Sequence, residues 1–167
     1  PLYHTHIGET RSLHTLGPNL EDGGVVALDH EDFSVDTVGI GDALPANGHV
    51  LPHPSAQRAY LTSGRPTDDT AGGVGEYYVL DTETDDVVSQ ASTGGVDPGG
   101  AWVAPDGEEL WILNRETNDG VVVDTETDEV TSEISEVGPA TGESDEREAP
   151  ENVWFSPDGR FVFVALA

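Results

Sequence analysis

The pentapeptide Asp-Thr-Glu-Thr-Asp occurs twice in this chain, beginning at Asp81 and again at Asp124, 43 residues further on. Each copy lies between two β-rich runs. Tyr77-Tyr78-Val79-Leu80 precedes the first and Val87-Val88 follows it, while Val121-Val122-Val123 and Val130-Thr131-Ser132-Glu133-Ile134 flank the second. A strand, a polar turn and a strand cannot bury an apolar face alone, so a unit that recurs at this period must stack against its own copies. A weaker third copy runs from Val25-Val26-Ala27-Leu28-Asp29 to Phe33.

A second element alternates with the first. It reads Ala101-Trp102-Val103-Ala104-Pro105-Asp106-Gly107 before Leu110-Trp111-Ile112, and Val153-Trp154-Phe155-Ser156-Pro157-Asp158-Gly159 before Phe161-Val162-Phe163-Val164. Pro fixes φ and Gly supplies φ > 0, so Pro-Asp-Gly between apolar runs is a hairpin turn. An earlier copy spans Gly48 to Leu61 around Pro54, and a degenerate one opens the chain from His4 to His14. Two hairpins per repeat give four strands in roughly 45–50 residues, the size of a propeller blade. The expected fold is therefore all-β: a partial β-propeller of about three and a half four-stranded antiparallel blades. Ala101–Val103 is expected to pair with Glu109–Leu113 as inner strands, and Val121–Asp124 with Val130–Ile134 as outer ones. Residues 1–167 read as a single propeller domain or fragment with approximate repeats 1–47, 48–100, 101–151 and 152–167. No apolar run has helical period.

The stretch "V-V-V-D-T-E-T-D-E-V", then "I" and "V-G", then "S-P-D-G-R-F-V-F-V", resembles the YVTN-type propeller repeat. The likeness is strongest over 75–167 and looser over 23–62. It implies that the Ser-Pro-Asp-Gly hairpin forms the two inner strands of each blade and the Asp-Thr-x-Thr hairpin the two outer ones. It also implies a non-catalytic ligand- or protein-binding scaffold, with an extracellular or cell-surface setting slightly favoured. The acidic insertion at 140–150 and the segment from Pro66 to Gly75 depart from the pattern. Because an open arc leaves sheet edges uncovered, the count implies a fragment, a homo-oligomer, or remaining blades from a longer chain.

Charge narrows the setting. Thirty-three acidic residues against six basic ones give a formal net charge of −27, and all six basic residues are Arg. Carboxylates hold water where salt competes for it, and molar salt screens their repulsion. The absence of Lys removes long alkyl stems from the surface. The composition therefore points to a salt-adapted organism, an assignment that with the resemblance extends to a halophilic archaeon. Such a surface repels phosphates, which excludes nucleic acid as a partner. No run approaches the roughly 20 apolar residues of a membrane span.

The histidines carry the one chemical alternative. His4, His6, His49 and His53 fall in two inner-strand elements. Aligned on the hairpin, His6 and His53 share a column with Ala104 and Ser156, and His49 lies four residues before His53. Inner strands converge on a propeller axis, so these four could ligate a metal, with Zn or Cu suited to imidazole. The alternative function is thus a zinc or copper carrier, or a His-ligated redox protein. The competing reading makes them hydrogen-bonded structural residues, since Trp102 and Trp154 occupy the His4 column. His14 and His30 have no assigned place. Trp102, Trp111 and Trp154 are expected between blades. Glu143, Asp145, Glu146, Glu148 and Glu151 are expected in a solvated loop. The sequence has no Gly-x-Ser-x-Gly elbow, phosphate loop or Cys, so nothing marks an enzyme. The partner is left as a small ligand, a metal or a protein.

Overall fold

The computed structural model describes residues 4–7, 11–15, 25–29, 31–38, 49–62, 73–137 and 149–166. Side chains are described from residue 28 onward, except those of 36–38. Every regular element within them is a β-strand. In chain order these are β1 (His4–Ile7), β2 (Arg11–Thr15), β3 (Val25–Asp29), β4 (Val35–Val38), β5 (Val50–Pro52), β6 (Arg58–Thr62) and β7 (Glu76–Asp81). There follow β8 (Val87–Ser92), β9 (Pro98–Val103), β10 (Glu109–Asn114), β11 (Asp119–Asp124), β12 (Val130–Ile134), β13 (Pro150–Phe155) and β14 (Val162–Leu166).

The strands form three four-stranded sheets, β1–β4, β5–β8 and β9–β12, and a two-stranded sheet, β13–β14. All pairings are antiparallel between consecutive strands, as in Leu110↔Val103 and Leu110↔Val123. These are the three and a half blades expected from the repeats, with the predicted inner and outer pairs in place.

Turn chemistry makes the hairpins. In the pentapeptide, the Asp81 carboxylate accepts from the backbone N–H of Glu83 (2.8 Å) and Thr84 (3.0 Å). Asp124 does the same for Glu126 (3.0 Å) and Thr127 (2.8 Å). These hydrogen bonds hold both carboxyls below the usual range, the Thr84 and Thr127 N–H groups contributing most. The fifth position is left-handed in all three outer turns, at φ 61° for Phe33, 62° for Asp85 and 60° for Asp128. The pentapeptide is therefore a side-chain-capped turn. In the inner hairpins Gly107 and Gly159 take φ of 82° and 68° and donate N–H to the carbonyls of Ala104 and Ser156, both at 2.9 Å.

Alternate residues of the strands turn to opposite faces. Tyr60, Tyr77 and Val79 of sheet two meet Ala101, Val103, Leu110, Ile112, Val121 and Val123 of sheet three in one buried cluster. This seam is one buried layer of the described structure; Ala59, Leu61, Tyr78 and Leu80 are buried on the other face of sheet two. Sheet four packs on the other face of sheet three, with Phe155 edge-on to Trp111 at 5.8 Å. The innermost strand must come very close there. A methyl group on Gly100 would lie 2.8 Å from the Glu151 carbonyl oxygen, so Gly is required.

The tryptophans meet the expectation unevenly. Trp111 is interfacial, but Trp102 and Trp154 remain 40% and 43% exposed. Trp102 pairs with Trp111 and shares its face toward sheet four, while Trp154 pairs with Phe163 on the face of sheet four that no described sheet covers.

Candidate functional site

The seam between sheets two and three is closed at one end and open at the other. At the closed end, Arg58 at the start of β6 reaches across to the outer turn of sheet three. Its Nη1 donates to the Thr125 carbonyl (2.8 Å) and to Asp128 Oδ1 (2.7 Å). The Tyr77 hydroxyl donates to the Asp128 carbonyl at 2.8 Å. Burial raises the Asp128 pKa by more than the Arg58 charge and hydrogen bond lower it. Burial likewise pushes the Tyr77 hydroxyl up to about 12, with the Asp128 charge adding to it.

His53 belongs to this clamp. Its Nδ1 accepts the backbone N–H groups of Ser55 (3.1 Å) and Ala56 (2.8 Å). Both donors are unambiguous, so Nδ1 carries no proton and Nε2 must. Nε2 then donates 2.9 Å to the Gly107 carbonyl of sheet three. That carbonyl also accepts the Thr125 hydroxyl. Both ring nitrogens of His53 are engaged, one capping its own turn and one tying two sheets together.

His49 sits apart from His53, on the far side of the short strand β5. It is buried, and its backbone exchanges hydrogen bonds with Thr62: N–H to Oγ1, and carbonyl to the Thr62 N–H, each at 3.0 Å. Burial, reinforced by the Arg115 charge, depresses its pKa to about 4. The unfolded chain binds a proton near 6.5, so between those values it binds more protons than the folded chain. Stability contributed here is present above pH 6.5 and is lost as pH falls toward 4. Relative to His49→Gln, the wild type is expected to lose about 2–4 kcal/mol across that window, read from melts at fixed high salt. Parallel pH profiles of the two proteins would contradict it.

Of the four histidines singled out from sequence, His4 and His6 lie on β1, paired with His14 and Ser12. Their side chains fall outside the described residues, as does His30. Among the described residues no group of three or more His, Asp or Glu is arranged to hold a metal. Residues 138–148, with most of the acidic insertion, are also outside the description. Glu151 is within it, 3.5 Å from Arg115, which also pairs with Asp97 at 2.8 Å. Sequence reasoning missed the clamp residues Arg58, Tyr77 and Asp128. A signal existed: six basic residues stand among 33 acidic ones, and one of them opens β6 opposite the repeated turn.

At its other end the seam opens into a cleft of about 500 Å³, lined by Ser92, Thr93, Asp119, Val121, Glu133 and Ile134 among others. Val121 pairs with Glu133 and Gly120 with Ile134, so the outer strands of sheet three form one wall. The end of β8 forms the opposite wall. Behind it, buried Asn114 donates to Asp119 Oδ1 (2.7 Å) and to the Thr93 carbonyl (3.3 Å). Thr117 Oγ1 also donates to Asp119 Oδ1 (2.8 Å). Asp119 is thereby fixed in the wall of a cleft that offers both polar and apolar groups.

No family model and no curated protein matches the chain. Solved structures do. It is similar to a structure described as that of the Dos1 propeller, at TM-score 0.71 and 16% identity, over 99% of this chain and 41% of the other. It is also similar to a functionally unknown protein from Desulfotomaculum acetoxidans, at TM-score 0.68 and 14% identity, over 98% of this chain and 48% of the other. The chain spans less than half the length of either. With its four-stranded antiparallel sheets, the fold is that of a β-propeller.

Proposed function

We propose that the chain serves as a non-catalytic binding scaffold, built from YVTN-type repeats and adapted to high salt, with the open cleft between sheets two and three as its ligand site. The cleft carries the reading. It lies between sheets two and three, and it offers hydroxyls and carboxylates around Val121 and Ile134. A propeller supplies rigid walls for such a site. Its origin in a halophilic archaeon and a cell-surface setting belong to the same proposal. The metal-carrier alternative draws no support from His53, whose two ring nitrogens are both engaged.

The test is a binding screen by amide NMR in molar KCl, using monosaccharides, free amino acids and short peptides as probes. A true ligand shifts the amides of Thr93, Gly94, Gly120 and Val121. Val130→Trp, at an exposed wall position, fills the cleft and removes those shifts. Binding that maps elsewhere, or that survives Val130→Trp, overturns the proposal.

A further inference from the structure

Sheet two has described neighbours on both faces, with β1 and β2 of sheet one beside β5 and sheet three across the seam. Its outer strand β8 still has an open edge. It ends the order β5-β6-β7-β8, and no described strand pairs with its far side. As the outermost strand of a sheet flanked on both faces, β8 is not bare because of where the array stops. Pairing gives the direction of its free groups. The Thr93 N–H donates to the Gly75 carbonyl (2.8 Å), on the side of β7. Alternation turns the backbone groups of Ser89 and Ala91 the same way, opposite Val79 and Tyr77, and those of Gln90 and Ser92 outward.

An open edge is a template for a further strand, and proteins blunt such edges with charge or proline. Thirty-three of the 167 residues here are acidic, and the outer strands β4 and β12 carry Asp36 and Glu133. Strand β8 reads Val87-Val88-Ser89-Gln90-Ala91-Ser92, with neither charge nor proline. Its side chains alternate between half-buried and exposed, and Val88 is 54% exposed. Of the three described outer strands, this one alone is unguarded.

The cleft begins where β8 ends. Ser92, Thr93 and Gly94 line one side of it, and Val130, Glu133 and Ile134 of β12 the other. Val121 and Val123 point into the seam and pair with Glu133 and Val130, so β12 turns those two side chains toward sheet two. A strand added to β8 would send every second side chain into the space facing them. The carboxylates of Asp119 and Glu133 line that space, with no basic side chain among the described residues around it. We propose that β8 pairs with an extended segment of a partner polypeptide and that the cleft receives a basic side chain of that segment, a reading that rests on the cleft being the ligand site and names what it takes. Backbone pairing supplies the affinity and the acidic cleft the selectivity. A second copy of β8 is a poor occupant, because it has no cation to set against Asp119 and Glu133.

Amide NMR in molar KCl tests this with the end-blocked peptide Thr-Val-Arg-Val-Thr, its Glu-for-Arg analogue, and an analogue N-methylated throughout. The Arg peptide should shift the amides of Gln90 and Ser92 together with those of Thr93 and Gly94. The Glu analogue should bind about fivefold more weakly or worse, and the methylated one about tenfold or more. Gln90→Pro removes an outward N–H and spares the bonds to β7, so it should abolish binding. Circular dichroism checks its fold, and the methylated peptide carries the test if that variant does not fold. Shifts produced by a free amino acid or a monosaccharide, but not by the Arg peptide, would refute strand pairing while leaving the cleft as a ligand site. Equal binding of the three peptides, or binding indifferent to a folded Gln90→Pro, refutes it too. Self-association of the protein that Gln90→Pro removes would give the edge to a second copy and overturn the proposal.

Discussion

In a potassium chloride series, the strand signal in circular dichroism is expected to collapse as salt falls from molar to tens of millimolar. The outer hairpin of sheet three shows why. Asp124, Glu126, Asp128, Glu129 and Glu133 lie within ten residues, and the ion pair holding that hairpin to sheet two is Arg58 with Asp128. The screening length is roughly 3 Å at 1 M and roughly 10 Å at 0.1 M. In molar salt neighbouring carboxylates hardly interact, whereas in dilute buffer the repulsion reaches across a whole hairpin. A net charge of −27 on 167 residues then opposes compaction everywhere at once. A spectrum and melting temperature unchanged at low salt would remove the salt-adapted reading.

Replacing Ile112 with Ala is expected to cost about 2–5 kcal/mol, and to raise the salt concentration at which the chain unfolds. Ile112 is fully buried at the centre of the cluster joining sheets two and three. Losing it removes its transfer free energy and leaves a cavity between two sheets pinned by the clamp, which limits their collapse. Domains of this size are typically stable by about 5–15 kcal/mol, so the loss is a large share. Val88→Ala, at a position 54% exposed, serves as the control and is expected to stay within about 0.5 kcal/mol of wild type. Equal effects at the two positions would mean that the seam is not a core layer.

Hairpins were legible in the sequence because their chemistry is local. Asp81 and Asp124 cap turns two and three residues ahead, and Gly107 and Gly159 take the conformations that Pro-Asp-Gly implies. The contacts that join sheets were not legible. Arg58 and Asp128 are 70 residues apart, and their meeting follows from how one sheet stacks on the next. The histidines mark the limit. Alternation along a strand puts His49 and His53 on one side only if both lie within it, but β5 covers Val50–Pro52 and both residues flank it. His53 instead turns to the backbone of its own hairpin. The hairpin pattern places Trp102 and Trp154 on inner strands but does not say how deeply each ring is buried. The cleft had no sequence signal, because its two walls come from β8 of one repeat and from β11 and β12 of the next.

Native-state hydrogen exchange in molar KCl tests most directly that two sheets locked face to face form the rigid frame of this chain. The slowest amides should fall in the middle strands on both sides of the seam, β6 and β7 with β10 and β11, at residues such as Tyr60, Val79, Ile112 and Val122. They should exchange together, as one cooperative unit, while β12 and β14 exchange faster. Slow amides confined to a single sheet, or scattered without regard to the seam, would contradict it.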